Sequence, residues 1–150
     1  MIVKICAIHY TRLSGHGAYR HEYHIVWIPK YRKKVLTGRV KESIEGHMRD
    51  IERYHPEVRI LQWNIQIDHV HMVAEIPPKY GVSMIVGKIK ANTSRKVRSE
   101  GLVKGVYWGG AFWSPGFFSS TVGLDEEMIQ KYVKYQEKVD TEEINLKMEL

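Results

Sequence analysis

The chain has 150 residues, 43% of them hydrophobic and 27% charged, which fits one soluble domain that buries about two-thirds of its unfolded surface. Lys and Arg number 23 against 17 Asp and Glu, a formal charge of +6 that suits an anionic partner such as nucleic acid. One cysteine, Cys6, excludes an internal disulfide, Met1 to Tyr10 lacks the apolar core of a signal peptide, and no apolar run approaches the roughly 20 residues that cross a bilayer, so a cytoplasmic protein without a membrane segment is expected.

The first eighteen residues read as irregular, with Ser14-Gly15-His16-Gly17 as a flexible stretch. Tyr19 to Ile28 is rich in aromatic and β-branched residues and stops at Pro29, which predicts a strand. A basic segment follows, with Lys30, Arg32, Lys33 and Lys34. From Arg39, the apolar positions Val40, Ile44, Met48 and Ile51 recur at helical spacing and predict an amphipathic helix to about Tyr54, ended by Pro56. Leu61, Trp63, Ile65 and Ile67 then alternate with Gln62, Asn64 and Gln66, the period of a strand with one buried face. After Asp68 a second alternation puts Val70, Met72, Ala74 and Ile76 on one face and His69, His71, Val73 and Glu75 on the other, closed by Pro77-Pro78.

Ser83 is placed to cap a second helix, apolar at Ile85, Ile89 and Val97 and basic at Lys88, Lys90, Arg95, Lys96 and Arg98. The aromatic and glycine-rich stretch Tyr107 to Gly116 leads into a last strand over Phe117 to Val122. Asp125 caps a final helix with Glu126 and Glu127 in its first turn, and Leu124 and Ile129 stand at the spacing of a hydrophobic staple. The order strand, helix, strand, strand, helix, strand, helix is an α+β layout, one domain over 1–150 with helices packed on a largely antiparallel sheet.

Residues two apart on a strand point to one face, so His69 and His71 project side by side within reach of one metal ion. The same spacing also describes two packed or surface histidines. Residues four apart on a helix are neighbours, which pairs Tyr132 with Gln136. A tyrosine on an apolar helical face is commonly core, but a buried amide beside it needs a hydrogen bond or a metal. Two imidazoles and an amide oxygen leave coordination positions open for phosphate oxygens, a donor set that suits Mg2+ or Mn2+. Asp68 reads as a turn residue between the two strands, the alternative being a carboxylate that orients a histidine. The 4 Trp, 9 Tyr and 3 Phe, interleaved with cations, suit unpaired bases that stack on rings while Lys and Arg follow phosphates. For DNA contact the candidates are Arg32 and Lys33 after the first strand and Lys90 and Arg95 on the second helix, each of which is equally a solvated charged face.

Nearly the whole chain resembles the single-tyrosine HUH transposases of the smallest insertion sequences. The resemblance rests on Tyr23-His24-Ile25-Val26-Trp27-Ile28-Pro29-Lys30-Tyr31-Arg32, on Asp68-His69-Val70-His71, on Trp108-Gly109-Gly110 and Trp113-Ser114-Pro115-Gly116, and on Ser120-Thr121-Val122-Gly123 ahead of the tyrosine helix. The His-hydrophobic-His pattern matches His69-Val70-His71, and the family's nucleophile with its glutamine matches Tyr132 and Gln136. Phe117-Phe118 stands where many members have a tyrosine, and Ala91 follows Lys90 where glycine is common.

The resemblance implies a ferredoxin-like sheet, a C-terminal helix carrying the catalytic tyrosine, and a homodimer. In such dimers the tyrosine helix of one subunit can complete the histidine pair of the other, and assembly in cis or in trans stays open. The resemblance also implies a metal-dependent strand transferase that binds hairpins in single-stranded DNA, cuts there through a 5′-phosphotyrosine, and rejoins the strands. A domesticated relative that processes chromosomal hairpin repeats carries the same residues. A catalytically silent nucleic-acid-binding module needs none of the four at positions 69, 71, 132 and 136.

Overall fold

The computed structural model describes residues 12–14, 17–19, 21–103 and 111–148. The readings for Met1 to Tyr10 and Cys6, and for Tyr107 to Gly110, lie outside the described residues. A small hairpin, β1 (Arg12–Ser14) paired with β2 (Gly17–Tyr19), comes first, where irregular chain was expected. The main sheet holds β3 (Glu22–Trp27), β4 (Arg59–Ile65), β5 (Val70–Glu75) and β6 (Phe118–Ser120), in the spatial order β4-β5-β3-β6 with every pair antiparallel. With α1 (Gly38–His47) between β3 and β4, and α3 (Val82–Ser99) between β5 and β6, this is the ferredoxin-like arrangement. A short α2 (Ile51–Tyr54) follows α1, and α4 (Glu126–Met148) ends the described chain. No helix among the described residues is long and apolar enough to cross a membrane.

Strand β3 and its extension show why Ile25-Val26-Trp27-Ile28 is continuously apolar. All four are fully buried, but alternate side chains enter different cores. Ile25 and Trp27 join Met72, Ile44, Met48, Ile85 and Ile89 in the large core between the sheet and the α1 and α3 side. Val26 and Ile28 meet Ile129 and Val133 of α4 on the other face. That second face is the one that carries the histidines.

Five local expectations change. The helix predicted from Arg39 to Tyr54 is interrupted by a 3-10 turn at Met48–Asp50, after Gly46. There His47 leaves helical backbone and its Nδ1 lies 2.8 Å from Asp50 Oδ2. The second helix starts one residue before Ser83, at Val82, and Gly81 occupies the cap position without a side-chain bond. A β-bulge between Ile60 and Gln62 inserts one residue into β4, so parity flips: Ile60 is buried at 2% while Leu61 is 38% exposed. Ile67, expected inside, lies beyond the strand and is exposed. The last strand is three residues long, because the Val122 N–H turns back onto Ser120 Oγ at 3.2 Å. At the final helix the expectation holds: Asp125 Oδ1 accepts the Met128 N–H at 2.8 Å, and Leu124 packs in the same small core as Ile129.

The segment joining Trp113 to β6 is fastened from α3. Lys90 Nζ donates to the carbonyls of Ser114 (2.7 Å) and Gly116 (2.8 Å). Burial pushes this ammonium down to about 8, against a smaller upward pull from Asp140. Between about pH 8 and its ordinary value of 10.5, the unfolded chain therefore keeps a proton that the folded chain releases, and stability rises with pH through that window.

Two outcomes are expected. Leu61→Lys should change unfolding free energy by no more than about 0.5 kcal/mol, whereas Ile60→Ala should cost about 2–5 kcal/mol in denaturant titration, and the reverse ranking would remove the bulge. Lys90→Met should flatten the rise in stability from about pH 7.5 to about pH 9.5, measured as the wild-type minus variant difference. A difference constant across that range would show an unperturbed lysine.

Candidate active site

The β4–β5 hairpin sets His69, whose carbonyl accepts the Gln66 N–H at 2.9 Å. The His69 side chain is buried, and its Nδ1 lies 2.9 Å from Asp68 Oδ1. A carboxylate only accepts, so Nδ1 carries a proton, and Nε2 is the ring nitrogen that Asp68 does not engage. Asp68 Oδ2 in turn accepts from Arg32 Nε at 2.9 Å. Burial pulls the Asp68 carboxyl upward, but the bonds from His69 and Arg32 outweigh it and hold it below the usual carboxylate range. The turn reading of Asp68 therefore gives way to the orienting one: the residue is at the turn, and its side chain is spent on His69.

His71 is half-buried, and burial together with the neighbouring His24 and His69 lowers its pKa, so it is a neutral imidazole at pH 7. The register pairs His71 with Val26 and Val73 with His24, which puts His24 diagonally beside His71 on one face. His24 Nδ1 lies 3.3 Å from His71 Nε2. Sequence reasoning missed His24. Its place in a strand was legible, but which strand would lie beside the histidines was not.

Tyr132 and Gln136 lie on α4, as the spacing predicts, and share a cleft of about 490 Å³ with Gly116, Phe118, Met128 and Tyr135. Neither histidine lines that cleft. The Tyr132 ring packs on Phe118 with centroids 5.8 Å apart, and its buried hydroxyl has no hydrogen-bond partner among the described residues. Burial, and after it the Asp140 charge, push the phenol well above its ordinary range. Gln136 is buried, with Nε2 3.4 Å from Asp140 Oδ1.

The two halves of the candidate site are joined through α4. Glu126 in its first turn acts electrostatically on His71. Three turns on, Glu137 Oε2 accepts from Arg32 Nη1 at 2.8 Å, the same guanidinium that holds Asp68. No group of three or more His, Cys, Asp or Glu able to hold a metal occurs among the described residues. Of the residues expected to meet DNA, Lys33 and Arg95 are exposed, and Arg95 donates to Asn92 Oδ1 on its own helix at 2.7 Å. Arg32 and Lys90 have their charges turned inward, to Asp68 and Glu137 and to two carbonyls respectively.

Known proteins share this plan. Residues 17–136 match the family model described as "Transposase IS200 like". The chain is 35% identical over 127 residues to the transposase for insertion sequence element IS200 of Salmonella typhimurium, covering 84% of this chain and 83% of that protein. It is 30% identical over 126 residues to the ISDra2 transposase TnpA of Deinococcus radiodurans, covering 82% and 89%. Among solved structures, a chain from Deinococcus radiodurans described as a transposase superposes with a TM-score of 0.71 at 25% identity, covering 83% of this chain and 97% of the other. A REP-associated tyrosine transposase bound to a REP hairpin shares the fold at a TM-score of 0.51 and 17% identity, covering 82% and 70%. With the family model spanning most of its length and two transposases matched across four-fifths of it, this chain belongs to the IS200-like transposase family.

Proposed function

We propose that this transposase binds hairpins in single-stranded DNA and cuts and rejoins the strand through a 5′-phosphotyrosine on Tyr132, with Mg2+ or Mn2+ held by His69, His71 and Gln136. The observation that carries the reading is the histidine pair itself: His69 with its Nδ1 proton committed to Asp68, beside a neutral His71. His71 is in the protonation state that metal ligation requires, and His69 has its Nδ1 fixed by a carboxylate. The amide of Gln136 adds an oxygen, and with substrate oxygens the set suits a hard divalent ion. Such an ion, when bound, polarises the phosphate and compensates the charge that develops on it.

The chain's own residues do the rest. Tyr132 attacks the phosphorus, the P–O3′ bond breaks as the P–O bond to tyrosine forms, and the phenol proton ends on the departing 3′-oxygen. A 3′-hydroxyl reverses the step, and the retained phosphodiester makes a nucleotide cofactor unnecessary. In its apolar cleft the phenol is a poor nucleophile, so its hydroxyl, unpartnered among the described residues, has to leave that burial to meet the phosphate. Lys33 and Arg95, both exposed, are the cations this reading keeps on the DNA backbone, while Arg32 and Lys90 support the site from within. The hairpin partner is supported by the REP hairpin held by the structural neighbour. The protein acts as a homodimer in the cytoplasm, with sites shared between subunits.

His69→Ala and His71→Ala should each lose metal-dependent cleavage and retain most hairpin binding, because affinity comes mainly from phosphate and base contacts. Equal loss of both in cleavage and mobility-shift assays would assign the pair a structural role. Tyr132→Phe should fold normally and form no covalent DNA adduct, whereas Tyr135→Phe, altered at a ring 65% exposed, should form it as the unmodified protein does. Adduct persisting on denaturing gels in Tyr132→Phe would sink the nucleophile assignment. A mixture of Tyr132→Phe and His69→Ala chains should regain cleavage if sites are shared, and confirmed heterodimers without activity would place each site within one subunit.

A further inference from the structure

We infer that Asp140 is a positioning residue for Gln136: its carboxylate decides which end of the Gln136 amide is available as a ligand. The inference rests on the metal reading of Gln136 above and goes beyond it to a residue outside the ligand set. Asp140 is fully buried. Its Oδ1 accepts from Ser114 Oγ at 2.9 Å and from Gln136 Nε2 at 3.4 Å, its Oδ2 accepts the Tyr31 N–H at 3.1 Å, and Lys30 Nζ stands 3.6 Å from Oδ1.

Each of these four groups is a donor, and together they hold the carboxylate from three separate segments. An amide has a donor end and an acceptor end of nearly the same size, so only its surroundings set its orientation. A carboxylate accepts and does not donate, so the NH2 of Gln136 must face Asp140 and the oxygen must face away. On that side Oε1 looks toward Gly116, where an added Cβ would lie 3.7 Å from it. Lys90 holds the Gly116 carbonyl on the same segment. One helical turn beyond the ligand, Asp140 thus turns a group of two possible faces into an oxygen donor.

The test reads Mn2+ binding by the protein without DNA, from the EPR signal of free Mn2+. Asp140→Asn keeps the size of the side chain and adds a donor that lets the Gln136 amide turn over. Affinity should fall about tenfold or more, toward that of Gln136→Ala. Adding Gln136→Glu to Asp140→Asn should restore it, because a carboxylate offers an oxygen whichever way it is turned. Ser114→Ala removes a different donor from Asp140, and should lower the melting temperature without moving Mn2+ affinity. The inference is overturned if Ser114→Ala weakens Mn2+ binding as much as Asp140→Asn does, or if a folded double variant is not rescued. An unchanged affinity in Gln136→Ala overturns the metal reading itself, and this inference with it. Should Asp140→Asn not fold, the unmutated protein decides by NMR. Its Gln136 side-chain NH2 should stay protected from exchange when Mg2+ is added, while the side-chain carbonyl carbon shifts, and loss of that protection overturns the inference.

Discussion

The seating of α4 on the histidine face of the sheet is the contact on which the rest depends. Its apolar part is small: Val26 and Ile28 from the sheet, Ile129 and Val133 from the helix. Full burial of aliphatic side chains of this kind contributes roughly 1.5–3 kcal/mol each, enough to hold the helix down but not to choose its position along the sheet. Polar contacts make that choice. Lys30 reaches Glu143 and Asp140, Arg32 reaches Glu137, and the Tyr31 N–H reaches Asp140. Each is directional, and the buried ones are costly to break, since a desolvated charge would lose its partner. Sliding the helix by one turn would mispair all of them.

The loop that supplies these contacts is itself under backbone strain. Tyr31 and Arg32 both hold positive φ, 59° and 50°, where non-glycine residues cost of order 1–3 kcal/mol each. The conformation persists because Asp140 takes the Tyr31 N–H and because Arg32 is gripped at both ends of its guanidinium, by Asp68 and by Glu137. One arginine therefore ties the helix that carries the tyrosine to the carboxylate that orients His69. The placing of the candidate nucleophile and the tuning of the candidate ligand share a residue, and neither is set independently of the other.

Electrostatics in this region run opposite to the net charge. The chain carries +6, yet the histidine face is managed by carboxylates from α4 and the β4–β5 turn. Arg32 is paired inside the fold with Asp68 and Glu137, and Lys90 donates to two backbone carbonyls, while Lys33 and Arg95 are exposed. Charge counted along a sequence measures the attraction to an anion. It does not say which cations are spent on the protein's own acids.

Much of the plan was legible from periodicity alone. Alternation at Val70, Met72 and Ala74 against His71, the helical spacing of Tyr132 and Gln136, and the Asp125 cap are local properties, written in residues a few positions apart, and the structure keeps them, although His69 falls just before the strand. So is the order of elements from which the sheet follows. What local pattern could not supply is register and long-range pairing. The bulge that turns Leu61 outward adds one residue without any marker in the alternation. His24 meets His71 only because β3 pairs with β5 in one register out of several. Asp68 looked like a turn residue because turns favour aspartate, and its bond to His69 needed Arg32 from 36 positions away to hold it. Asp140 went unnoticed because a carboxylate on a helix is ordinarily a solvated one, and its donors come from Lys30, Tyr31 and Ser114, distant in sequence and adjacent only once the chain has folded. The sequence determined the order of the main elements, most of their faces and the family; tertiary structure alone decided which polar groups meet, because a hydrogen bond depends on ångström distances that no spacing along the chain specifies.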